Sequence, residues 1–406
     1  MQCASMDELQ RFRTEVLEEL TGNILPFTMR FVVDWEQGGF YGLVANNRAV
    51  NREAPKGLVQ HSRTLWAFAH AYRTLQDPQF LPFVTHARTA LLDRFWDPEY
   101  GGFFWMLDYR GQPLHPGKLI YGQAFALYGL AEDYIATGCA ESFGRARQTY
   151  GLLEKHGRDL EYGGYWEAHY QDWVRAPEQR VDPTDLPVSK GMNTHLHMLE
   201  AYTNLLRVWD DDGVRSRLRA LIYIMLERVL NPETDHLNLF LDREWRSLAD
   251  GISYGHDIEA SWLLVEAAAV LGEEGLQSRA EQAALRMAYA TLEQGIGADG
   301  GVFDEGDPSG VVGRGRSWWP QAEAMIGFLN AYQLSGDPRL LAASLASWRF
   351  VQQHIVDREY GDWFWGVDEV GRPCDREKAG PWKAIYHSGR ACLEVMRRIQ
   401  ELAGKS

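Results

Sequence analysis

Cysteines, long apolar runs and excess positive charge are all scarce in this chain, and each scarcity argues against a class of protein. The 406 residues include only 4 cysteines, none in a CxxC pair that would indicate a disulfide framework or a cysteine-ligated zinc site. No segment reaches the roughly 18 continuous apolar residues that a membrane span needs. The N-terminal stretch also lacks an apolar core of signal-peptide length. We therefore expect a cytoplasmic protein in a reducing compartment.

The chain is acidic, with a net charge of −15 at pH 7. Nucleic acids and anionic membranes bind basic surfaces, so neither is expected as a partner. A hydrophobic share of 45% and a charged share of 24% are typical of a globular protein with a large core. The unusual feature is the 15 tryptophans, which fit either an aromatic core or a pocket that stacks on sugar rings.

One turn motif recurs six times along the chain. It consists of an acidic or aromatic residue, a Gly-Gly turn or its equivalent, an aromatic strand and a second turn, as in DPEYGGFFWMLDYRG from Asp97. Its central residues recur at intervals of 61 to 72 residues, at Gly38, Gly101, Gly163, Asp235, Gly300 and Gly361. Such a period indicates an architecture built from one repeated supersecondary unit.

Each repeat contains two helical patterns. The first is amphipathic and predicts an outer helix, with copies at 9–30, 79–95, 142–156, 214–230, 275–292 and 338–354. The second is more apolar on all sides and predicts an inner helix, with copies at 57–75, 119–138, 190–209, 251–272, 317–336 and 383–403. Six such pairs predict an all-α protein with a single domain over residues 1–406, a closed (α/α)6 barrel with short β-hairpins at one rim.

Every inner helix follows a turn motif, so all six N-termini should share that rim. Unpaired N–H groups and the positive ends of the helix dipoles favour oxygen-rich ligands, which predicts a pocket there. The irregular stretch 176–190 is expected to be a loop that can cover it. Polar or aromatic side chains open the helices, namely His61, Arg63, Tyr121, Gln123, Asn193, His195, His197, His256, Glu259, Trp318, Trp319, Gln321, Glu323, His387 and Arg390.

Histidine transfers protons well near neutral pH, because its reference pKa is about 6.5. The recurrence of His256 and His387 at helix starts favours a catalytic role over a structural one. His195 and His197 are not expected to share a metal, since residues two apart on a helix point nearly opposite ways. His256 and Glu259 share a face, but a carboxylate that orients an imidazole explains this spacing without an ion. We expect no metal.

Carboxylates at the same rim leave a second reaction class open. A glycosidase uses one carboxylic acid to protonate the leaving oxygen and one carboxylate to activate water, and the candidates are Asp185, Asp257, Glu259 and Glu323. A histidine pair is not what glycosidic cleavage requires, which disfavours this reading. The glycine-rich run at 313–317 lacks the GK[ST] ending of a phosphate-binding loop, so we interpret it as an ordinary loop.

Five segments resemble the N-acylglucosamine 2-epimerase family, most closely its cellobiose 2-epimerase branch. They are APKGLVQHSRTLW from Ala54, NTHLHMLEAY from Asn193, SYGHDIEASWLL from Ser253, SWWPQAEAMIGFLNAYQ from Ser317 and WKAIYHSGRACLE from Trp382. The likeness covers nearly the whole chain. It implies a sugar epimerase without cofactors on an (α/α)6 barrel, with a small-molecule sugar such as cellobiose, lactose or mannobiose as substrate. We expect a monomer or a weak homodimer.

The resemblance also implies roles for individual residues. Those matching His256 and His387 form an acid/base pair, and the one matching His197 lies beside the carbonyl end of the substrate. The tryptophan matching Trp382 helps to hold a second sugar, which favours a disaccharide, and His61 receives no role. The substrate-binding positions are Arg63, Tyr121, Asp185, Asn193, Glu259, Trp318, Trp319, Glu323 and Trp382.

Inversion at C2 of an aldose fits these residue types on chemical grounds. The sugar ring must open, because only the free aldehyde makes the C2 proton acidic enough to remove. One imidazole removes that proton, and a second returns one to the opposite face of the planar enediolate. Charge on the C1 oxygen needs donors placed in advance, for which Arg63 and His197 are the candidates, and Glu259 is expected to orient or charge His256.

Several alternative functions stay open. Within the family these are a mannose or N-acylglucosamine 2-epimerase and an aldose–ketose isomerase, which shares the enediolate but returns the proton to C1. A glycoside hydrolase that uses Glu259 or Asp185 would release glucose from cellobiose. A sugar-binding protein without chemistry is disfavoured by the histidines at 197, 256 and 387.

Overall fold

The computed structural model describes residues 6–177, 186 and 188–404, and within them twelve α-helices of ten or more residues alternate between two layers. The outer helices are α1 (Met6–Glu19), α3 (Leu81–Ala90), α5 (Ala140–Leu152), α7 (Asp212–Ile224), α9 (Glu274–Ala290) and α11 (Pro338–Phe350). The inner helices are α2 (Leu58–Leu75), α4 (Ile120–Thr137), α6 (Met192–Val208), α8 (Tyr254–Leu271), α10 (Trp318–Ser335) and α12 (Tyr386–Gly404).

The inner helices pack side by side in a closed ring. Each contacts the next from α2 through to α12, and α12 returns to contact α2. Buried apolar side chains from both layers fill the space between the helices. The predicted (α/α)6 barrel is therefore confirmed. No helix in the described part of the chain is long and apolar enough to cross a membrane.

Each outer helix continues into a five-residue π-helical turn. These turns are Leu20–Ile24, Thr28–Val32, Leu91–Phe95, Leu153–Gly157, Met225–Val229, Thr291–Gly295 and Val351–Ile355; a short α-helical segment, Leu25–Phe27, separates the first two, and a 3-10 turn, Pro78–Phe80, precedes α3. The next residue is extended and begins the turn motif, as Trp96 does after Phe95. A single antiparallel bridge, here from Trp96 to Phe103, then spans the Gly-Gly turn.

Short antiparallel strands line the rim. They are β1 (Lys56–Gly57), β2 (Met106–Leu107), β3 (Pro113–His115), β4 (Lys118–Leu119), β5 (Ala168–His169), β6 (Lys190–Gly191), β7 (Phe240–Leu241), β8 (Ile252–Ser253), β9 (Glu305–Asp307), β10 (Gly310–Val311), β11 (Arg316–Ser317) and β12 (Gly366–Val367).

Most of the strand pairing joins consecutive repeats. The predicted hairpins, which lie within a repeat, are small. The strand before an inner helix pairs with the strand after the next turn motif, as β1 does with β2 and β4 with β5. The same holds for β6 with β7, β8 with β9 and β11 with β12. A bridge from Val44 to Ala379 joins the sixth repeat to the first and completes the circle. Sequence periodicity gives the number of repeats but does not specify which strands pair.

The acidic residue of the turn motif closes the turn and anchors it. Asp97 Oδ1 accepts the backbone N–H groups of Glu99 and Tyr100, and its Oδ2 accepts from the buried Lys118 Nζ at 2.8 Å. Gly101 has a positive φ of 71°, which glycine adopts without steric cost. Equivalent buried ion pairs join Lys56 to Asp34, Lys190 to Asp159 and Lys378 to Asp357.

The fourth residue of five inner helices holds the turn motif of its own repeat. His195 Nε2 accepts the Tyr165 N–H at 3.0 Å, and its Nδ1–H donates to the Gly191 carbonyl at 2.8 Å. Both ring nitrogens are occupied, so His195 has no free ligand atom for a metal. The same place is taken by His61, Gln123, Asp257 and Gln321, which accept the N–H groups of Phe40, Phe103, Leu237 and Val302.

Candidate active site at the helix N-terminal rim

Side chains from all six inner helices converge just below the rim. They occupy the sixth position of each helix, or the equivalent fifth position of α12, and are Arg63, Phe125, His197, Glu259, Glu323 and Arg390. All six are buried. The guanidinium carbon of Arg63 lies 4.4 Å from the centre of the Phe125 ring, which lies 4.5 Å from the centre of the His197 ring. One helical position repeated six times thus builds the floor of the site.

His387, in the first turn of α12, has a carboxylate partner. Its Nδ1 lies 2.7 Å from Glu323 Oε1, so the neutral ring donates its Nδ1–H and presents the lone pair of Nε2. Burial, reinforced by the charge of Arg63, lowers the pKa of His387 well below its usual value. A histidine that is neutral at physiological pH and has a defined free nitrogen is suited to remove a proton.

His256, in the first turn of α8, has a hydroxyl partner instead. Ser253 Oγ lies 2.7 Å from its Nδ1, and because a hydroxyl either donates or accepts, both tautomers of the ring are available. Burial lowers the pKa of His256 to about 4, and the negative charge of Glu259 opposes this. Glu259 itself receives a hydrogen bond from Arg390. Glu259 therefore affects the charge of His256, whereas Ser253 is the group that orients it.

The three histidines border the same space. The ring centre of Trp319 lies 4.6 Å from that of His256 and 5.7 Å from that of His387. A positive charge on His197 would lower the pKa of both. The Nδ1 of His197 lies 2.9 Å from Glu200 Oε2, so its Nδ1–H donates to that carboxylate.

Arg63 is fixed by two hydrogen bonds. Its Nη2 donates to the Tyr121 hydroxyl at 2.9 Å, and its Nη1 donates to the backbone carbonyl of Trp382 at 3.0 Å. The half-buried indole of Trp382 lies 6.2 Å from the Tyr121 ring and 5.7 Å from that of Trp105. Three of the predicted substrate-binding residues are thereby brought together on one side of the site.

A cavity of about 440 Å³ opens beside His256. This volume is within the usual range for small-ligand pockets. Its polar lining includes Glu167, Asn193, Ser253, Asp304 and Ser317. Asp304 accepts the N–H and the hydroxyl of Ser317, each at 2.8 Å, and burial raises its pKa to about 6. The cavity thus offers hydrogen-bonding groups of the kind that sugar hydroxyls need.

Two of the predicted substrate-binding residues, Asp185 and Trp318, need separate mention. Asp185 lies outside the described residues, as does most of the expected covering loop. Trp318 is buried, and its ring centre lies 4.6 Å from that of Trp365. Of the predicted site residues, Asn193, His256 and Trp319 line the cavity.

A buried network surrounds Arg390 and was not predicted from the sequence. The Nη1 of Arg390 donates to Glu200 Oε1 and to the Tyr386 hydroxyl, and its Nη2 donates to Glu259 and, at 2.7 Å, to Glu323. A signal was present, because Glu200 follows His197 by three residues and Arg390 follows His387 by three. The same spacing places His256 and Glu259 on one helix face.

Part of this network has the spacing of a metal site. Ligand atoms of Glu259, Glu323 and His387 all lie within 4.8 Å of one another. The guanidinium of Arg390 donates to both carboxylates and therefore supplies positive charge between them. The expectation that the site binds no metal stays a prediction, and this guanidinium supports it.

Comparisons with known proteins agree with the fold and the resemblance. The family model described as N-acylglucosamine 2-epimerase (GlcNAc 2-epimerase) matches residues 38–391. The cellobiose 2-epimerase of Bacteroides fragilis is 40% identical over 393 residues, which cover 96% of this chain and 100% of that protein. The cellobiose 2-epimerase of Dictyoglomus turgidum is 38% identical over 97% of this chain and 100% of that protein.

A solved structure extends this similarity to three dimensions. The structure of cellobiose 2-epimerase from Bacillus thermoamylovorans matches with a TM-score of 0.92 and 39% identity, over 96% of this chain and 100% of that one. Fold, length and sequence therefore point the same way. The chain belongs to the N-acylglucosamine 2-epimerase family of carbohydrate epimerases.

Proposed function

We propose that the protein inverts C2 of the reducing-end glucose in β-1,4-linked disaccharides such as cellobiose or lactose, without a cofactor. The observation that carries this proposal is the pair of histidines around the single indole of Trp319, the buried His387 and the half-buried His256. A two-base inversion needs two proton-transfer groups that border one reacting carbon. The substrate class comes from the relatives named cellobiose 2-epimerase.

In this mechanism the two histidines have opposite tasks in each direction of the reaction. After ring opening, the neutral one accepts the C2 proton on its Nε2, and the protonated one donates to the other face of the enediolate. The pKa of His256 is about 4 in the empty site. The negative charge that develops on the substrate raises that pKa during the reaction, so His256 can take up a proton from solvent and serve as the acid.

Two further groups stabilise the charge that develops on the C1 oxygen. Arg63 is held in place by Tyr121 and by the carbonyl of Trp382, so it is oriented before the charge appears. Glu200 accepts the Nδ1–H of His197 and fixes the orientation of that ring, so that Nε2 can donate to the oxygen when this nitrogen carries a proton. In both cases the donor is fixed by the protein, which avoids the cost of reorienting it during the reaction.

Proton NMR in D₂O, with no metal or nucleotide added, tests the function. Incubation with cellobiose is expected to yield glucosyl-mannose that carries deuterium at C2, because the second proton comes from a base that exchanges with solvent. A ketose product would indicate an isomerase, and free glucose would indicate a hydrolase. Conversion of mannose alone would assign the protein to monosaccharides, and no change with either sugar would overturn the proposal.

Trp382 is proposed to hold the second sugar. Replacement with alanine is expected to lower kcat/KM for cellobiose about tenfold, which corresponds to about 1.4 kcal/mol, and to affect a monosaccharide much less. The backbone carbonyl that binds Arg63 is kept in this variant. Trp35→Ala is the matched control, because Trp35 is 61% exposed in a turn motif. Equal losses on both sugars would contradict the assignment.

A further inference from the structure

Arg390 is a fully buried arginine that bonds to three carboxylates from three different inner helices. Its Nη1 bonds to Glu200 of α6, and its Nη2 bonds to Glu259 of α8 and Glu323 of α10. A guanidinium binds carboxylates with directional hydrogen bonds, so this side chain positions its partners in addition to filling space.

Each of these carboxylates acts on one histidine of the site. Glu323 accepts from His387, and Glu200 accepts from His197. Glu259 acts on His256 by its charge, which opposes the lowering of that pKa by burial. Through these three carboxylates Arg390 is therefore connected to all three histidines.

Arg390 offsets part of the negative charge in this network. Three carboxylates in a water-poor interior repel one another, and one of them would take up a proton if they were left unpaired. Burial raises the pKa of Glu323, and Arg390 opposes this. For Glu200, burial also acts to raise the pKa, but Arg390 and His197 outweigh it and lower the value to about 2.

We propose that Arg390 is a positioning residue of the epimerase reaction, a role that rests on the proposed function. It keeps Glu323 and Glu200 ionised, so that these carboxylates hold the Nδ1–H groups of His387 and His197 and leave each Nε2 directed to the substrate. Arg390 itself does not touch the reacting atoms in this scheme.

Charged and titratable groups surround Arg390 and His387 on every side. Inside the barrel they come from α2, α4, α6, α8 and α10. A second cavity also borders Arg390, and its charged and titratable lining comprises Arg13, His70, Arg73, Tyr128, Glu132, Tyr134, Arg207, Glu266, Glu394 and Arg397. The groups that face the pair are Arg63, Tyr128, His197, Glu200, Glu259, Glu323, Tyr386, Arg13 and Glu394.

The pH dependence of kcat tests the role of Arg390. Arg390→Gln removes a positive charge, so the network binds a proton more readily and the pH midpoint of the acid limb should rise by about one unit. The direction is the same whether the proton goes to Glu323 or to His387. In both cases the active form, with an ionised carboxylate and a neutral imidazole, is reached only at higher pH. A lower kcat with an unchanged midpoint would reduce Arg390 to a structural residue.

Three further variants make the test specific. Arg390→Lys keeps the charge but loses the paired hydrogen bonds, so kcat should fall while the midpoint stays within about 0.3 unit. Glu259→Gln should move the midpoint down, because the Glu259 charge raises the pKa of His387; it also tests the network if Arg390→Gln does not fold. Arg398→Gln is the matched control, since Arg398 is a buried arginine on the same helix that bonds to Asn330 and Gln333.

A measurement without substrate separates this inference from the proposed function. Nitrogen-15 NMR of labelled histidines, with His387 assigned by its loss in His387→Asn, follows the Nδ1–H form and its titration directly. The wild-type spectrum should show His387 as the Nδ1–H tautomer. In Arg390→Gln, His387 should titrate at higher pH than in the wild type. A wild-type protein that converts no sugar would overturn the function alone. An unchanged His387 titration in Arg390→Gln would overturn the role of Arg390 alone.

Discussion

His387→Asn is expected to lower kcat for cellobiose epimerisation by about 10²- to 10⁴-fold, the range that one general acid or base contributes. Asparagine is similar in size and its side chain can still contact Glu323, so the fold should be kept, but it cannot accept a proton at neutral pH. His256→Asn should cause a loss of the same order. Steady-state rates, together with thermal unfolding curves that match the wild type, check both variants.

Exchange of the C2 proton with D₂O separates two-base inversion from chemistry at a single base. With one histidine removed, the other can still take a proton from its own face of C2 and return deuterium to that face. His387→Asn should therefore exchange the C2 proton of one epimer only, and His256→Asn that of the other epimer only. If one variant exchanged both epimers and the other neither, a single base would carry the reaction.

The repeats supply a control for these substitutions. Gln123 and Gln321 occupy in α4 and α10 the place that His195 occupies in α6, and they accept the same kind of backbone N–H. His195→Gln should therefore keep kcat within about twofold, because glutamine already performs this structural task in the same barrel. A large loss in this variant would mean that substitution of any histidine near the rim disturbs the site.

The fold could be predicted from the sequence because the same pattern of turn motif and two helices occurs in every repeat. The turn motif, the amphipathic outer helix and the apolar inner helix recur in the same order. An irregular interval in one repeat therefore does not change the number of repeats that is counted. The pairing of β1 with β2 across repeats was not predictable in this way, because two-residue strands leave no alternation to read.

Contacts in the site could be predicted from the sequence where both residues lie on one helix, but not where they lie on two different helices. His256 and Glu259 share a face of α8, which the spacing indicates correctly. Glu259 accepts a hydrogen bond from Arg390 of α12, 131 positions away, and Glu323 accepts one from His387, 64 positions away. Such pairs depend on how helices pack. Of the two roles predicted for Glu259, to orient or to charge His256, its charge does act on His256, whereas Ser253 makes the orienting hydrogen bond.

Arg63→Met is expected to lower kcat by about 10²- to 10³-fold, the usual cost of removing one donor from a site that stabilises an oxyanion. Methionine keeps much of the apolar contact with the Phe125 ring but cannot donate to the C1 oxygen. Arg63→Lys should lose less than Arg63→Met because it keeps the charge, but it should still fall below the wild type because lysine cannot bond to both Tyr121 and the Trp382 carbonyl. Rates measured with saturating cellobiose check the order of wild type, lysine and methionine.

The same substitution should also move the pH profile, which distinguishes a charge effect from a loss of packing. The positive charge of Arg63 lowers the pKa of both His256 and His387. Without it both values rise, and the acid limb of kcat shifts to higher pH in Arg63→Met but not in Arg63→Lys. Arg73→Met is the control, because Arg73 lies further along α2, where it pairs with Glu132. The charge of Arg63 acts on both imidazoles, so an acid limb that stays in place in Arg63→Met would contradict this charge effect and leave the guanidinium a role through hydrogen bonds only.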